Sequence, residues 1–432
     1  MDVLRTLLDG DYRDSDTGER LHVPVKSLVI QPSLAGCEAE LVKALDLPTP
    51  HAVLSDDDTH RALGHRVEAA LGSLGNPIAI GLGHRPHPDD RTAERVMDEG
   101  GKAGSYVAVG SGTVCDLAKY AAARQGKRCA VFATAPSMNG YTSVNAAITV
   151  QGHKKSLAAV SPEGVFVDLD VLAKAPRRLI QAGFGDAICR TTAQADWLLA
   201  GRLLGQPYRA APFAFIADLE DELIADPAAL LRGDRAALSR LIRILLLSGF
   251  GMTICGGSYP ASQGEHLISH HIEMMPPAGW EPALHGEQIA VTTLVMARLQ
   301  DRILARESPP RLGASKVSAG ALKSHFGEEV GSTCWADIQP KLADDERASR
   351  LNERLETIWP HLRSEIEPAR RPAAEVDAAL AKVEAPRRYS AIGLSRNAFK
   401  DAILHAREIR NRYTFLDLAA DSGLLEPESL ID

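Results

Sequence analysis

The chain has no CxxC pair. Its six cysteines, Cys37, Cys115, Cys129, Cys189, Cys255 and Cys334, are scattered, which argues against both a disulfide framework and a zinc knuckle. It has no surplus of positive charge. A formal net charge of −8 disfavours a nucleic-acid or anionic-membrane partner. Long apolar runs are missing too, since the best of them, Ile244 to Cys255, is too short to span a bilayer. The opening Met1-Asp2-Val3-Leu4-Arg5 runs into an acidic stretch, Asp9 to Asp16, without the apolar core of a signal peptide, and the expectation is a cytoplasmic protein. Internal repeats and low-complexity tracts are also absent.

What remains is a globular composition, 45% apolar and 24% charged, in 432 residues, a length that calls for two domains. The pattern changes near residue 170. Before it, short apolar runs at 27–30, 51–54, 77–80, 106–109 and 130–132 read as buried strands. Helical patterns fit between them at Leu63–Leu71, Asp90–Glu99 and Thr113–Arg124. Such alternation predicts a parallel sheet with helices on both faces. A hairpin is expected over Ile148–Lys154, with Gly152 supplying the turn. After residue 170, apolar residues recur at helical spacing over Arg235–Gly249, Gly286–Leu304, Asp344–Trp359, Ala373–Val383 and Ser395–Asn411. Ser395 suits an N-cap, and the Pro-rich 367–372 a loop. The expected architecture is an α/β N-terminal Rossmann-like domain with a parallel sheet, residues 1–170, and an all-α C-terminal domain, residues 171–432.

Three stretches suit a nucleotide. Gly110-Ser111-Gly112-Thr113-Val114-Cys115 follows a strand and opens a helix, where backbone amides and the helix dipole hold phosphate. Glycine lets the backbone approach the anion. The plainer alternative is a tight strand-to-helix turn, and the GxGxxG match is partial because Cys115 takes the third glycine's place. In Ser55-Asp56-Asp57-Asp58-Thr59 an acid can contact ribose hydroxyls or cap a helix. Between Thr134 and Ser143, small hydroxyl residues crowd after a strand, either as ligand contacts or as an ordinary polar loop.

Asp186, His266 and His285 offer a carboxylate and two imidazoles, a set that holds a divalent ion and leaves one coordination position open. Asp186, read as lying at a helix start, has capping as its alternative role. His266 and His270, four apart, share a helix face and either bind one ion together or divide between ion and substrate. His271 points elsewhere and reads as a surface or packing residue.

In order, Gly110 to Lys119, Thr134-Ala135-Pro136-Ser137, Ala182-Gly183-Phe184-Gly185-Asp186, Ser258 to His266, and His285-Gly286 resemble the sn-glycerol-1-phosphate dehydrogenases, nearest the bacterial branch with its longer helical tail. That group lies within the superfamily of iron-containing alcohol dehydrogenases, glycerol dehydrogenases and dehydroquinate synthases. The similarity runs from about residue 20 to Arg410–Asp417. It implies a dehydroquinate-synthase-like fold and a metal-dependent, NAD- or NADP-linked interconversion of dihydroxyacetone phosphate and sn-glycerol-1-phosphate. Alternatives are another polyol or sugar phosphate as substrate, or a dehydroquinate-synthase-type cyclase. Residue by residue, the resemblance assigns Gly110, Ser111, Gly112, Thr113 and Val114 to the pyrophosphate, and Thr134, Ser137 and Ser143 to further cofactor contacts. Asp56 matches a ribose contact. Asp186, His266 and His285 match the ligands of one divalent metal, zinc first, with nickel or iron also accepted by this set. Asn139, Asp186 and His270 fall on substrate positions, with Asp186 and His270 in the catalytic role. A phosphorylated small molecule is the implied substrate and a homodimer or higher homo-oligomer the implied assembly, without nucleic acid or membrane insertion. Three positions depart from the family pattern. Asn139 replaces an aspartate, Arg190 a lysine, and Tyr259 an arginine before Pro-Ala-Ser.

Overall fold

The computed structural model describes residues 2–150 and 153–431. Close packing divides the chain into two units, Met1–Ala187 with Ala210–Gly257, and Ile188–Arg209 with Ser258–Asp432.

The first unit is built on a parallel sheet. Its strands are β1 (Ser27–Gln31), β2 (His51–Ser55), β3 (Ile78–Gly81), β4 (Ser105–Gly110), β5 (Arg128–Ala133) and β8 (Gly164–Asp168), in the order β1-β8-β5-β4-β2-β3. Every pairing is parallel. The central strands β2, β4 and β8 are buried along their whole length, as covering both faces of a parallel sheet with helices requires. Five of these strands match the apolar runs of the sequence. The central β8 was not expected from pattern, because only Val165, Phe166 and Val167 form its apolar core, between Gly164 and Asp168. Two further strands, β6 (Asn145–Val150) and β7 (His153–Ala158), pair antiparallel as the expected hairpin, whose turn residue Gly152 lies outside the described residues.

The order of the strands places the ligand site. From β2 the chain moves outward to β3, and from β4 it moves the opposite way to β5, so the winding reverses between neighbours β2 and β4. In open α/β sheets a crevice opens at the carboxyl ends of the strands at such a point. The segments that follow β2 and β4 are those containing Asp56 and Gly110–Val114.

Helices of this unit include α1 (Asp90–Glu99), α2 (Gly112–Arg124), α3 (Arg177–Ile188) and α4 (Arg235–Ile254). The first two match expectation to within one residue. The helix expected at Leu63–Leu71 begins with a π turn, His60–Gly64, before a regular stretch, His65–Leu71. Helix α4 runs five residues past its expected end, and Asp234 caps its start by accepting from Ala237 N. It is long and apolar enough to cross a membrane by length and composition, yet 61% of that stretch is buried inside the protein.

All regular secondary structure among the second unit's described residues is helical. It contains α5 (Arg190–Leu204), α6 (Gly264–Met274), α7 (His285–Leu304), α8 (Ala319–Phe326), α9 (Asp345–Ile366), α10 (Ala373–Lys382), α11 (Arg396–His405) and α12 (Phe415–Asp421). One apolar core joins them through Leu199, Ile268, Val295, Leu355, Trp359, Phe399 and Phe415. Ser395 caps α11 by accepting from Ala398 N, as its position predicted. The helix stops at His405, short of the expected Asn411, where the chain tightens into a 3₁₀ turn over Ala406–Glu408.

Asp168, at the carboxyl end of β8, ties the first unit together. One carboxylate oxygen accepts from Leu34 N and Arg66 Nη2, at 3.0 and 2.6 Å, and the other from Asp170 N and Val171 N. Burial opposes its ionisation, but the Leu34 amide and the Arg66 guanidinium outweigh that, and its pKa is lowered. A lowered folded-state pKa stabilises the fold above the ordinary carboxylate value of about 3.9 and loses that contribution as pH falls through the folded value. Asp168→Ala is expected to cost about 3 kcal/mol in urea unfolding at pH 7, the scale for removing one partner of a buried ion pair. The gap between variant and wild type should close below about pH 4, on the same linkage.

Candidate nucleotide cleft and metal centre

In the first unit, β4 ends at Gly110 and α2 begins at Gly112. A Cβ on Gly110 would lie 2.5 Å from the Cβ of Val114, so this glycine is fixed by the packing of the turn. On Gly112 a Cβ would meet only Met138 Cγ at 3.7 Å, an ordinary contact. The protein itself does not need glycine there, and a bare backbone is what an anion at the helix start requires. Ser111 sits at the N-cap without a side-chain cap bond, which leaves the opening amides of α2 to a ligand. Val114 is buried, so its contribution to such a ligand is its amide. Cys115 is also buried and donates to Gly110 O, filling the place of the third glycine with packing.

Asp56 is the N-cap of the next short helix. Its Oδ1 accepts from Thr59 N at 2.7 Å while Thr59 Oγ1 accepts from Asp56 N at 2.9 Å. The capping role therefore falls on Asp56 itself. Asp56 also lines a cavity of about 310 Å³ with Ser55, Asp57, His60, Arg61 and Gly81. One residue can serve both purposes, because the capping box engages a single carboxylate oxygen.

The loop after β5 is clamped from two sides. On α3, a Cβ at Gly183 would fall 1.6 Å from Pro136 O, and on α4 one at Gly249 would fall 2.1 Å from Thr142 Oγ1 and 2.7 Å from Asn139 O. Only glycine lets these helices meet the loop backbone so closely. Thr134 and Ser137 are buried in this loop, and Thr134 N donates to Gly110 O at 3.1 Å. The Asn139 amide donates to Asp186 Oδ2 at 2.9 Å, and its side chain reaches Ser248 Oγ at 3.4 Å. Asp186 is therefore joined directly to the loop. It lies in the last turn of α3, not at a helix start as the sequence reading had it. The Gly-x-Gly before it mimics a cap signal, whereas Gly183 is there for the close approach to Pro136. Ser143 belongs to a buried network. It accepts from Lys119 Nζ at 3.2 Å and donates to Gly140 O and Asn145 O.

In the second unit three imidazoles converge. Ring centroids of His266 and His285 are 5.1 Å apart, those of His266 and His270 5.8 Å, and those of His270 and His285 6.5 Å. His266 and His270 come from one face of α6, and His285 opens α7. His266 is buried, and its Nδ1 lies 2.9 Å from Glu265 Oε1. A carboxylate on Nδ1 fixes the ring so that Nε2 presents its lone pair, the arrangement common behind metal-binding histidines. Glu265 is itself completely buried and accepts from Gln263 N at 2.8 Å and Thr192 Oγ1 at 3.3 Å. Burial would raise its pKa, but the bond with His266 and the backbone donors bring it below the usual carboxylate range. Cys189 Sγ lies within 4.8 Å of the Glu265 and His266 donor atoms, though its thiol is given to Ala261 O. Further back, Asp196 accepts from Gly264 N at 3.0 Å and Phe415 N at 2.9 Å, which pins the start of α6. Glu265 and Asp196 were not found from sequence. The only signal for Glu265 is its place next to His266.

Tyr259, the departure from the family arginine, stacks on Trp197 with centroids 5.8 Å apart. The Arg412 guanidinium lies 4.9 Å above the Tyr259 ring and donates to Ser258 Oγ at 2.7 Å. A second cation, Arg410, stands close by. Burial, then the charge of Arg410, lowers the Arg412 pKa to about 10. Crowded, poorly solvated guanidinium groups of this kind attract an anion. Arg190 donates to Gln194 Oε1 on its own helix, at 3.0 Å. Lys155 is exposed on β7.

Residues 29–176 match the iron-containing alcohol dehydrogenase family. Over 423 residues, covering 95% of each chain, the protein is 31% identical to the glycerol-1-phosphate dehydrogenase (NAD(P)+) of Bacillus velezensis. It is 33% identical over 296 residues to the enzyme of the same description from Thermococcus kodakarensis, spanning 67% of this chain and 82% of that one. Its fold is that of glycerol dehydrogenase from Schizosaccharomyces pombe, with a TM-score of 0.62, 16% identity, and coverage of 97% of this chain and 90% of that one.

Gly183→Ala should push the Pro136 loop off α3 and break the Asn139–Asp186 bond. Melting is expected to fall by several degrees, consistent with overpacking costs of about 1–3 kcal/mol, measured by differential scanning calorimetry.

Proposed function

Since the chain belongs to the glycerol-1-phosphate dehydrogenase family, we propose that it interconverts dihydroxyacetone phosphate and sn-glycerol-1-phosphate with a nicotinamide cofactor and one divalent metal ion. The observation that carries this reading is the convergence of His266 and His285 with Glu265 holding Nδ1 of His266. A buried carboxylate on Nδ1 of an imidazole that faces two others is the support commonly found behind a metal-binding histidine, and it favours this reading. Asp186, at the end of α3, supplies the anionic ligand. Two nitrogens and one oxygen fit Zn²⁺, Ni²⁺ or Fe²⁺, and zinc is the assignment favoured by this borderline donor set.

When bound, the ion supplies Lewis acidity toward the substrate oxygen and the nicotinamide carries the hydride. The protein does the rest by placement. Backbone amides of Gly112, Thr113 and Val114, at the start of α2, hold the pyrophosphate. Asp56 receives the ribose hydroxyls in the cavity beyond β2. Asp56, Asp57 and Glu68 line that cavity together with Arg61, a mixed set that receives a ribose of NAD or NADP. Arg412, with Arg410, binds the substrate phosphate and takes over the work of the arginine that Tyr259 replaces. A planar guanidinium suits bidentate contact with phosphate oxygens. Asn139 keeps an acceptor at the position of the family aspartate and adds a donor. His270, beside the metal-binding imidazoles, relays the proton between substrate oxygen and solvent. The functional assembly is a homo-oligomer.

Metal content and initial rates with dihydroxyacetone phosphate and NADH test this. His266→Ala and His285→Ala should lose both bound metal and turnover while keeping a native circular dichroism spectrum. Full activity in a metal-free preparation would overturn the reading. Arg412→Ala is expected to raise KM for dihydroxyacetone phosphate about 100-fold, the size of a lost charged hydrogen bond at about 1.5–3 kcal/mol, while KM for unphosphorylated dihydroxyacetone stays unchanged. Equal losses for both substrates would remove Arg412 from the phosphate site.

A further inference from the structure

Behind the face of α6 that carries His266 and His270, a second group of histidines meets on the opposite side of the helix. His271 of α6 places Nε2 3.0 Å from Nε2 of His325 on α8. Nε2 of His325 lies 3.7 Å from Oδ2 of Asp401 on α11. One donor atom from each of the three lies within 4.8 Å of the others. A tetrahedral zinc site with bonds near 2.0–2.1 Å has ligand atoms about 3.3 Å apart along each edge; the two edges through His325, 3.0 and 3.7 Å, bracket that spacing, and the third lies within 4.8 Å.

We propose that His271, His325 and Asp401 form a second divalent-metal site, separate from the one around His266, that ties helices α6, α8 and α11 together. The surroundings suit this. His271 is buried, and burial, followed by the charges of His325 and His405, lowers its pKa to about 3, so its imidazole is neutral and offers a lone pair at any physiological pH. Asp401 contributes the negative charge and, at 49% side-chain exposure, leaves the ion an entry path and a place for water as fourth ligand. His405 stacks on His325 with centroids 4.0 Å apart. Its Nδ1 is 2.9 Å from Glu408 Oε2, which turns Nε2 toward Asp401 Oδ1, 3.8 Å away. Glu408 thus orients His405, which stands within ion-pair range of the carboxylate ligand. Imidazole-rich donor sets select Zn²⁺ or Ni²⁺ over Mg²⁺ or Ca²⁺. The role is structural. An ion here would cross-link the helix that carries His266 and His270 to two others.

The test is zinc stoichiometry on the full-length protein, stripped with chelator, reloaded with Zn²⁺ and passed through gel filtration. Wild type should retain about two equivalents, and His325→Ala, Asp401→Asn and His266→Ala about one each. The double variant His266→Ala, His325→Ala should retain none. In the His266→Ala background, added Zn²⁺ should raise the melting temperature, and the rise should vanish when His325→Ala is added. Zinc retention by His325→Ala and Asp401→Asn equal to that of wild type would overturn the proposal, as would wild type retaining a single equivalent that His266→Ala abolishes. Because Asp401 is half exposed, its variant folds, and a stoichiometry result from it cannot be attributed to unfolding. Failure here would leave the His266 centre untouched, since that centre is read from the His266→Ala arm alone.

Discussion

Direct backbone contact between the loop after β5 and two helices governs the first unit. At Gly183 and Gly249 there is no room for one extra carbon, and the loop from Thr134 to Ser143 is held against α3 and α4 by that exclusion. Close packing of this kind allows no graded adjustment, because interiors are as dense as crystals. The loop position then fixes the Asn139 amide, and the amide fixes Asp186. The Asp186 carboxylate is thus held by a hydrogen bond from a loop that steric exclusion keeps in place. The second unit solves the same problem with hydrogen bonds. Asp196 anchors the first residue of α6, Thr192 and Gln263 hold Glu265, and Glu265 holds His266.

Much of this was legible in the amino-acid sequence. Apolar runs marked five of the six sheet strands, because strands buried on both faces must be continuously apolar. Long amphipathic helices were visible from spacing, and Ser395 announced the cap of α11 correctly. The Gly110–Val114 turn was legible because only a few residue types satisfy so tight a strand-to-helix turn. Strand β8 was not, since three apolar residues between a glycine and an aspartate look like loop until neighbours on both sides are known.

The site was half readable. Histidines four apart on α6 declare a shared face, and the structure brings His285 beside them. What spacing does not carry is partnership across distant segments. Nothing in the order of residues says that Glu265 would turn inward to His266, that Arg412 would stack on Tyr259 from 153 positions away, or that Asp186 would end a helix rather than begin one. Equally, His271 reads as a packing residue until His325 and Asp401 arrive from separate helices. The three departures from the family pattern become less puzzling in this light. At Tyr259 the loss of a guanidinium coincides with the arrival of another, supplied by the C-terminal segment.

That segment enters the site architecture at a further point. Asp196 divides its carboxylate between Gly264 N on Oδ2 and Phe415 N on Oδ1, so the amide that opens α12 and the amide that opens α6 are held by one side chain. Without the tail, Oδ1 of this buried carboxylate would lose the Phe415 donor and be left with Gln300 Nε2 at 3.4 Å. Through that one side chain, the seating of the tail and the entrance of the histidine helix are coupled.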